Sequence, residues 1–88
     1  MNFQNNDLES KLNFALANIE KNNLEKASEI YKKILKKYPN NFDANFNLGT
    51  IFAKKNNLEK SIELLEKAAI INPNLETIFN NLGLIYLN

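Results

Sequence analysis

The chain has 88 residues, of which 44% are hydrophobic and 24% charged, and its 11 cationic side chains, all lysines, face 10 acidic ones. It lacks cysteine, histidine and arginine, which excludes disulfides, thiolate nucleophiles, imidazole metal ligands and guanidinium forks. A net charge of +1 gives no reason to expect nucleic acid or a membrane as partner. We expect one small cytoplasmic domain that is not an enzyme, has no metal or cofactor, and carries no signal or transmembrane segment.

Apolar residues recur at the 3.6-residue period of an α-helix in successive segments of the chain. The segments are separated by Pro39 and Pro73, which cannot continue a helix, and by the pairs Asn22-Asn23 and Asn56-Asn57. Asparagine tolerates the left-handed conformation that ends helices, so each pair predicts a tight turn between two helices. We predict an all-α fold without strands, with five helices over residues 8–21, 24–37, 42–55, 58–71 and 76–87.

Side chains that can cap a helix stand before three of the predicted helices. Asp7, Asn41 and Asn74 each offer an oxygen to the unpaired N–H groups of a first helical turn. Carboxylates follow close behind each of them and favour the positive end of the helix dipole. The first, third and fifth helices are therefore predicted to begin at capped positions.

The sequence repeats itself with a period of 34 residues. Residues 22–27 recur as residues 56–61, and a second series joins residues 13–15, 47–49 and 81–83. A fixed period between about 20 and 50 residues is the signature of stacked repeats. The period divides the chain into an N-terminal extension, two full repeats and the first helix of an incomplete third repeat, over residues 1–7, 8–41, 42–75 and 76–88.

The repeated residues resemble the tetratricopeptide repeat, a 34-residue antiparallel helix pair. The resemblance implies an α-solenoid in which the pairs stack in a right-handed superhelix. Lys11 and Asn18 replace bulkier residues of the pattern, and we expect them to face water in an atypical terminal repeat. The residues that match the pattern, unit by unit, are Phe14, Ala15, Ala27, Tyr31 and Pro39, then Leu48, Gly49, Phe52, Ser61, Leu65, Ala68 and Pro73, and then Phe79, Leu82, Gly83 and Tyr86.

Small residues are expected at the closest approach between helices. Ala15, Gly49 and Gly83 of the first helices should face Ala27 and Ser61 of the second helices, or the next repeat. A glycine inside a helix costs about 1 kcal/mol relative to alanine, so a close contact should justify it. The pattern therefore predicts a close helix contact at Gly49, so that Gly49→Leu should unfold the domain.

The family resemblance implies that the first helix of each pair lines a concave groove. Asn13, Asn47 and Asn81 hold the same position in all three units, and a row of side-chain amides can hold the backbone of an extended peptide. This row is similar to the asparagine ladder of the sugar-transferring tetratricopeptide enzymes. The alternative is that asparagine, 18 of the 88 residues, matches through abundance alone. The candidate groove residues are Asn13, Leu16, Phe46, Asn47, Thr50, Asn80, Asn81 and Leu84.

Two other features of the sequence were considered as possible binding sites for partners. The family's carboxylate clamp for chaperone C-termini is not expected, because uncharged side chains stand where its cations would be: Leu12, Leu16, Thr77 and Asn81. A lysine cluster on the second helix is interpreted as a solvated outer face, with a basic patch for an acidic partner as the alternative. Its members are Lys32, Lys33, Lys36 and Lys37.

The last predicted helix is apolar almost all round, and such a helix should be buried. It therefore predicts either a longer array or self-association, the latter through Phe79, Leu82, Ile85 and Tyr86. The leading functional hypothesis is a scaffold that binds a protein or peptide in its groove. The alternatives are the N-terminal repeat arm of a larger transferase and a self-assembly element that forms homo-oligomers.

Overall fold

Four helices make up the computed structural model, which describes residues 3–73. They are α1 (Phe3–Glu20), α2 (Leu24–Lys37), α3 (Phe42–Lys54) and α4 (Leu58–Ile71), and this range contains no strand. Each helix packs against the next one in the chain. The all-α prediction is confirmed for this part of the chain, whereas the predicted fifth helix, 76–87, lies outside the described residues.

The two asparagine pairs form the same turn. Asn22 and Asn56 have φ angles of 60° and 63°, in the left-handed region. A hydrogen bond between backbone groups closes each turn. The backbone N–H of Asn23 donates to the Asn18 carbonyl at 2.7 Å, and that of Asn57 donates to the Phe52 carbonyl at 2.8 Å. This six-to-one hydrogen bond is the Schellman pattern that closes a helix end. The predicted interhelical turns are confirmed.

The helix starts agree with the prediction in one place and differ in another. The Asn41 side chain accepts a hydrogen bond from the Ala44 amide at 2.8 Å and so caps α3. Helix α1, however, begins at Phe3, so Asp7 lies inside the helix and forms an ion pair with Lys11 at 3.1 Å. No proline or glycine interrupts residues 3–7, which explains why the helix extends beyond the predicted start. Asn74 lies outside the described residues.

Asn18 differs from the expectation that it faces water. Its side chain is buried, with 7% of its surface exposed. Its Nδ2 donates to the Phe14 carbonyl at 2.8 Å, and its Oδ1 accepts from Asn23 Nδ2 at 3.1 Å. The amide therefore ties the last turn of α1 to the following turn, which satisfies its polar atoms without water.

The core contains two clusters that meet at α3. The first joins α1, α2 and α3 and consists of Ala15, Ala27, Ile30, Tyr31, Ile34, Ala44, Leu48 and Ile51. The second lies between α3 and α4, where Phe42, Phe46, Ile62 and Ala69 pack around buried Leu65 and Ala68. The small residues lie where helices approach closely, as predicted: Ala15, Ala27 and Ser61 are fully buried. None of the helices in residues 3–73 is long and apolar enough to cross a membrane.

Candidate functional site

A cavity of about 280 Å³ opens between α1, α2 and α3. Helix α1 contributes four of its side chains, α2 contributes one and α3 contributes two, so the packing of three helices creates it. We call this cavity the α1–α3 groove. It is lined by Glu9, Leu12, Asn13, Leu16, Tyr31, Asp43 and Asn47.

The predicted groove residues divide into those that line this cavity and those that do not. Asn13, Leu16 and Asn47 come together there. Phe46 instead stacks on Phe42, with ring centroids 5.7 Å apart, and packs in the second core cluster. The other predicted residues in the third repeat lie outside the described residues: Asn80, Asn81 and Leu84 of the groove, and Phe79, Leu82, Ile85 and Tyr86 of the self-association surface.

Thr50, also predicted for the groove, does not line the cavity. Its Oγ1 donates to the Phe46 carbonyl, one turn earlier in α3, at 3.0 Å. This bond is the local back-bonding that threonine makes inside helices. The hydroxyl proton is therefore already engaged with the helix backbone.

A hydrogen bond joins Asn47 to Tyr31 at the base of the groove. Asn47 Nδ2 donates to the Tyr31 hydroxyl at 3.0 Å, and the Tyr31 residue is fully buried. Burial raises the pKa of Tyr31, the hydrogen bond from Asn47 lowers it by a smaller amount, and the Asp43 carboxylate raises it further. The phenol therefore remains neutral over the physiological range, and it fixes the orientation of the Asn47 amide.

The two asparagine side chains that line the groove differ in their burial and hydrogen bonding. Asn47 is half-buried and its nitrogen is engaged, whereas its Oδ1 makes no hydrogen bond to the described residues. Asn13 is exposed, and within residues 3–73 its side chain makes no hydrogen bond. An oriented acceptor and an amide without a hydrogen bond in residues 3–73 thus line the same cavity, and together they can accept from and donate to a peptide group.

The remaining lining residues give the groove an apolar strip and a negative charge. Leu12 is half-buried, and Leu16 exposes 46% of its surface. Among the described residues that line the cavity, only Glu9 and Asp43 are charged. The groove is thus locally anionic, although the chain as a whole carries a net charge of +1.

Sequence reasoning placed Tyr31 in the helical apolar pattern and did not assign it to the groove. A buried tyrosine usually finds a hydrogen-bond partner for its hydroxyl, so the hydroxyl of Tyr31 is the feature that could have indicated such a partner. Its partner stands 16 residues later on another helix, a distance that helical periodicity does not connect. Only the packing of α2 against α3 brings the two side chains together.

In the described residues no group of three or more acidic side chains could hold a metal ion.

Comparison with known proteins identifies the family. No curated protein matches the chain. The family model of the tetratricopeptide repeat matches residues 12–76, which include α2, α3, α4 and the second half of α1. The match covers well over half of the 88 residues, and the chain belongs to the tetratricopeptide repeat family.

Proposed function

We propose that this chain is a protein-interaction scaffold that binds an extended peptide segment of a partner protein in the α1–α3 groove. Tetratricopeptide repeats generally mediate protein–protein interactions, and this chain matches their family model. The observation that carries the proposal is the Asn47–Tyr31 hydrogen bond. It orients one amide toward a cavity that Asn13 also lines.

In the proposed complex, Asn47 Oδ1 accepts a hydrogen bond from a backbone N–H of the peptide. Asn13 can donate to a neighbouring carbonyl, because its amide has no competing hydrogen bond among the described residues. Contacts with the peptide backbone do not depend on its sequence. Leu12 and Leu16 would then contact apolar side chains of the peptide. In this role the chain binds a partner and performs no chemistry on it.

The proposal extends to the third repeat. Asn81 would continue the row of amides, and Asn80 and Leu84 would add to the same groove as the concave face of a right-handed superhelix. A row that spans three repeats would hold a longer stretch of backbone than the two amides of the described region. Each additional repeat would therefore increase the affinity for an extended peptide.

The test is peptide selection followed by measurement on matched variants. Dodecapeptides displayed on phage are selected on the full chain, synthesised, and titrated by calorimetry. Asn13→Ala/Asn47→Ala should weaken binding about 10- to 30-fold, since each lost hydrogen bond is worth about 1 kcal/mol. The control is Asn40→Ala, an exposed asparagine that does not line the groove.

Equal affinity of the double alanine variant and the unmodified chain would refute the role of the amides. A variant that loses Asn47 also loses the partner of the Tyr31 hydroxyl, so Tyr31→Phe is measured in parallel. This variant keeps both amides but frees Asn47 from its bond. We expect a smaller loss of affinity, because only the orientation of Asn47 is affected.

Two further proposals concern regions other than the groove. Self-assembly would proceed through Phe79, Leu82, Ile85 and Tyr86, and predicts a mass by light scattering that rises with concentration. A role as the repeat arm of a larger transferase predicts a catalytic domain encoded after Asn88. Neither proposal uses a residue that lines the α1–α3 groove in the described part of the chain, so each is compatible with peptide binding there.

A further inference from the structure

A second cavity, of about 290 Å³, lies on another face of α3. Its α3 residues, Leu48 and Phe52, are one helical turn apart. Leu48 follows Asn47, and successive residues of an α-helix point about 100° apart, so this face differs from that of the groove. We call this cavity the Phe52 pocket. It is lined by Lys32, Leu48, Phe52, Lys60, Glu63 and Leu64.

Two lysines from different helices flank the ring of Phe52. Lys32 Nζ in α2 and Lys60 Nζ in α4 each lie 5.6 Å from the ring centroid. Such cation–π contacts are worth about 0.5–1 kcal/mol at exposed sites. The ring therefore contacts two ammonium groups whose residues line the same cavity.

Neither ammonium group is neutralised by a carboxylate within residues 3–73. The ion pairs of this region are Asp7–Lys11 and Glu25–Lys55. The pKa of Glu25 is lowered mainly by its hydrogen bond from Lys55 and least by the charge of Lys32, so this carboxylate is engaged elsewhere. Glu63 lies on the rim of the pocket without forming an ion pair with either lysine. The rim thus has a net charge of +1.

We propose that the Phe52 pocket is a second binding site, which takes an acidic–apolar segment of a partner protein. A large apolar side chain packs against Phe52, Leu48 and Leu64, and a carboxylate next to it binds Lys32 and Lys60. The cavity lies at the lower end of the range for ligand pockets, which suits one side chain. Glu63 favours a single carboxylate over a doubly charged phosphate, because it reduces the positive charge of the rim to one unit.

This site is independent of the groove. It is formed by α2, α3 and α4, whereas the groove is formed by α1, α2 and α3. Among the described residues, the two cavities share no lining residue, and the net charges of their linings have opposite signs. A partner could therefore bind both faces of α3, or two partners could bind one face each.

The test uses the peptide acetyl-Gly-Phe-Glu-Gly-amide, titrated into the ¹⁵N-labelled full chain and followed by amide chemical shifts. We expect saturable shifts at Leu48, Phe52 and Leu64. The matched peptide with glutamine in place of glutamate should bind about 5- to 10-fold more weakly, since it loses two exposed charge contacts. Lys32→Gln/Lys60→Gln should bind both peptides equally and weakly.

The control variant is Lys33→Gln/Lys36→Gln, which removes the same two charges from lysines that do not line the pocket. It should retain the preference for the glutamate peptide. Equal binding of both peptides by the unmodified chain would overturn the proposal, as would no saturable shift at millimolar peptide. Shifts confined to Asn13 and Asn47 would assign the peptide to the groove and would likewise overturn it. Retained amide dispersion shows that each variant is folded.

Discussion

Gly49 of α3 and Leu65 of α4 are packed closely together, and a side chain at Gly49 would be crowded. A β-carbon added there would lie 3.0 Å from both Cγ and Cδ2 of Leu65 and 3.3 Å from Cβ of Leu64. Leu65 is fully buried, so it has little freedom to move away. The helices are also linked at this point, since Ser61 Oγ donates to the Gly49 carbonyl at 2.7 Å. The sequence prediction of a close helix approach at Gly49 is confirmed.

Side chains at position 49 should destabilise the fold in order of size. Gly49→Ala gains about 1 kcal/mol of helix propensity but costs about 1–3 kcal/mol through overpacking, so we expect a net loss. Gly49→Leu should abolish the cooperative thermal transition measured by circular dichroism. In the background of Leu65→Ala, the sign should reverse and Gly49→Ala should stabilise. An unchanged melting temperature in Gly49→Leu would contradict the close contact.

Replacement of two buried serines by alanine should change the free energy of unfolding differently. Ser61→Ala removes the hydrogen bond to the Gly49 carbonyl and should cost about 1 kcal/mol of unfolding free energy. Within residues 3–73 the buried Ser28 hydroxyl has no hydrogen-bond partner, so Ser28→Ala removes only a polar group that burial disfavours. We expect Ser28→Ala to be neutral or stabilising. Urea denaturation measures both, and equal losses would show that the bond from Ser61 contributes nothing specific.

The left-handed turn residue Asn56 should tolerate glycine better than alanine. With φ at 63°, an L-residue other than asparagine is strained by about 1–2 kcal/mol, whereas glycine is not. Asn56→Ala should therefore lower the free energy of unfolding by about 1 kcal/mol, and Asn56→Gly should change it little. Asn40→Ala is the control, because Asn40 is exposed and does not have a positive φ. Equal effects of alanine and glycine at position 56 would refute the conformational explanation.

The buried phenol of Tyr31 should make stability depend on alkaline pH. Burial raises its pKa, so the folded chain binds this proton more tightly than the unfolded chain, whose tyrosine ionises near pH 10. The stabilisation is complete below about pH 10 and is lost as pH rises through the folded pKa. Urea denaturation between neutral pH and about pH 11 should show a steeper loss for the unmodified chain than for Tyr31→Phe. Parallel curves would indicate that Tyr31 has equal proton affinity in both states.

Much of the fold could be predicted because local rules decide it. Apolar periodicity gave the ends of α2 and α4, and the asparagine pairs gave the turns between helices. Periodicity could not show that α1 begins at Phe3, because residues 3–7 carry no apolar stripe that would distinguish a helix from an extension. Asn18 was misjudged for a similar reason, since its burial depends on partners in the following turn.

The candidate site was harder to predict than the helices. Repeat alignment placed Asn13, Leu16 and Asn47 on the helix faces that meet at the groove. It could not show that the ring of Phe46 packs with Phe42 instead, because that depends on the apolar surface that α4 offers. Periodicity assigns Lys32 to a lysine cluster on a solvated face, with a basic patch as the alternative, and does not relate it to Lys60. The ring of Phe52, which both lysines contact, belongs to a third helix.

The first core cluster has a consequence for how such an array could grow. It draws side chains from α1, α2 and α3, so the first 34-residue unit shares its interior with the helix that follows it. A chain cut after Asn41 would remove Ala44, Leu48 and Ile51 from this cluster and would expose part of the remaining apolar surface. We therefore expect a triplet of helices to be the smallest segment that folds. A repeat of two helices would then depend on a helix of its neighbour to become structured.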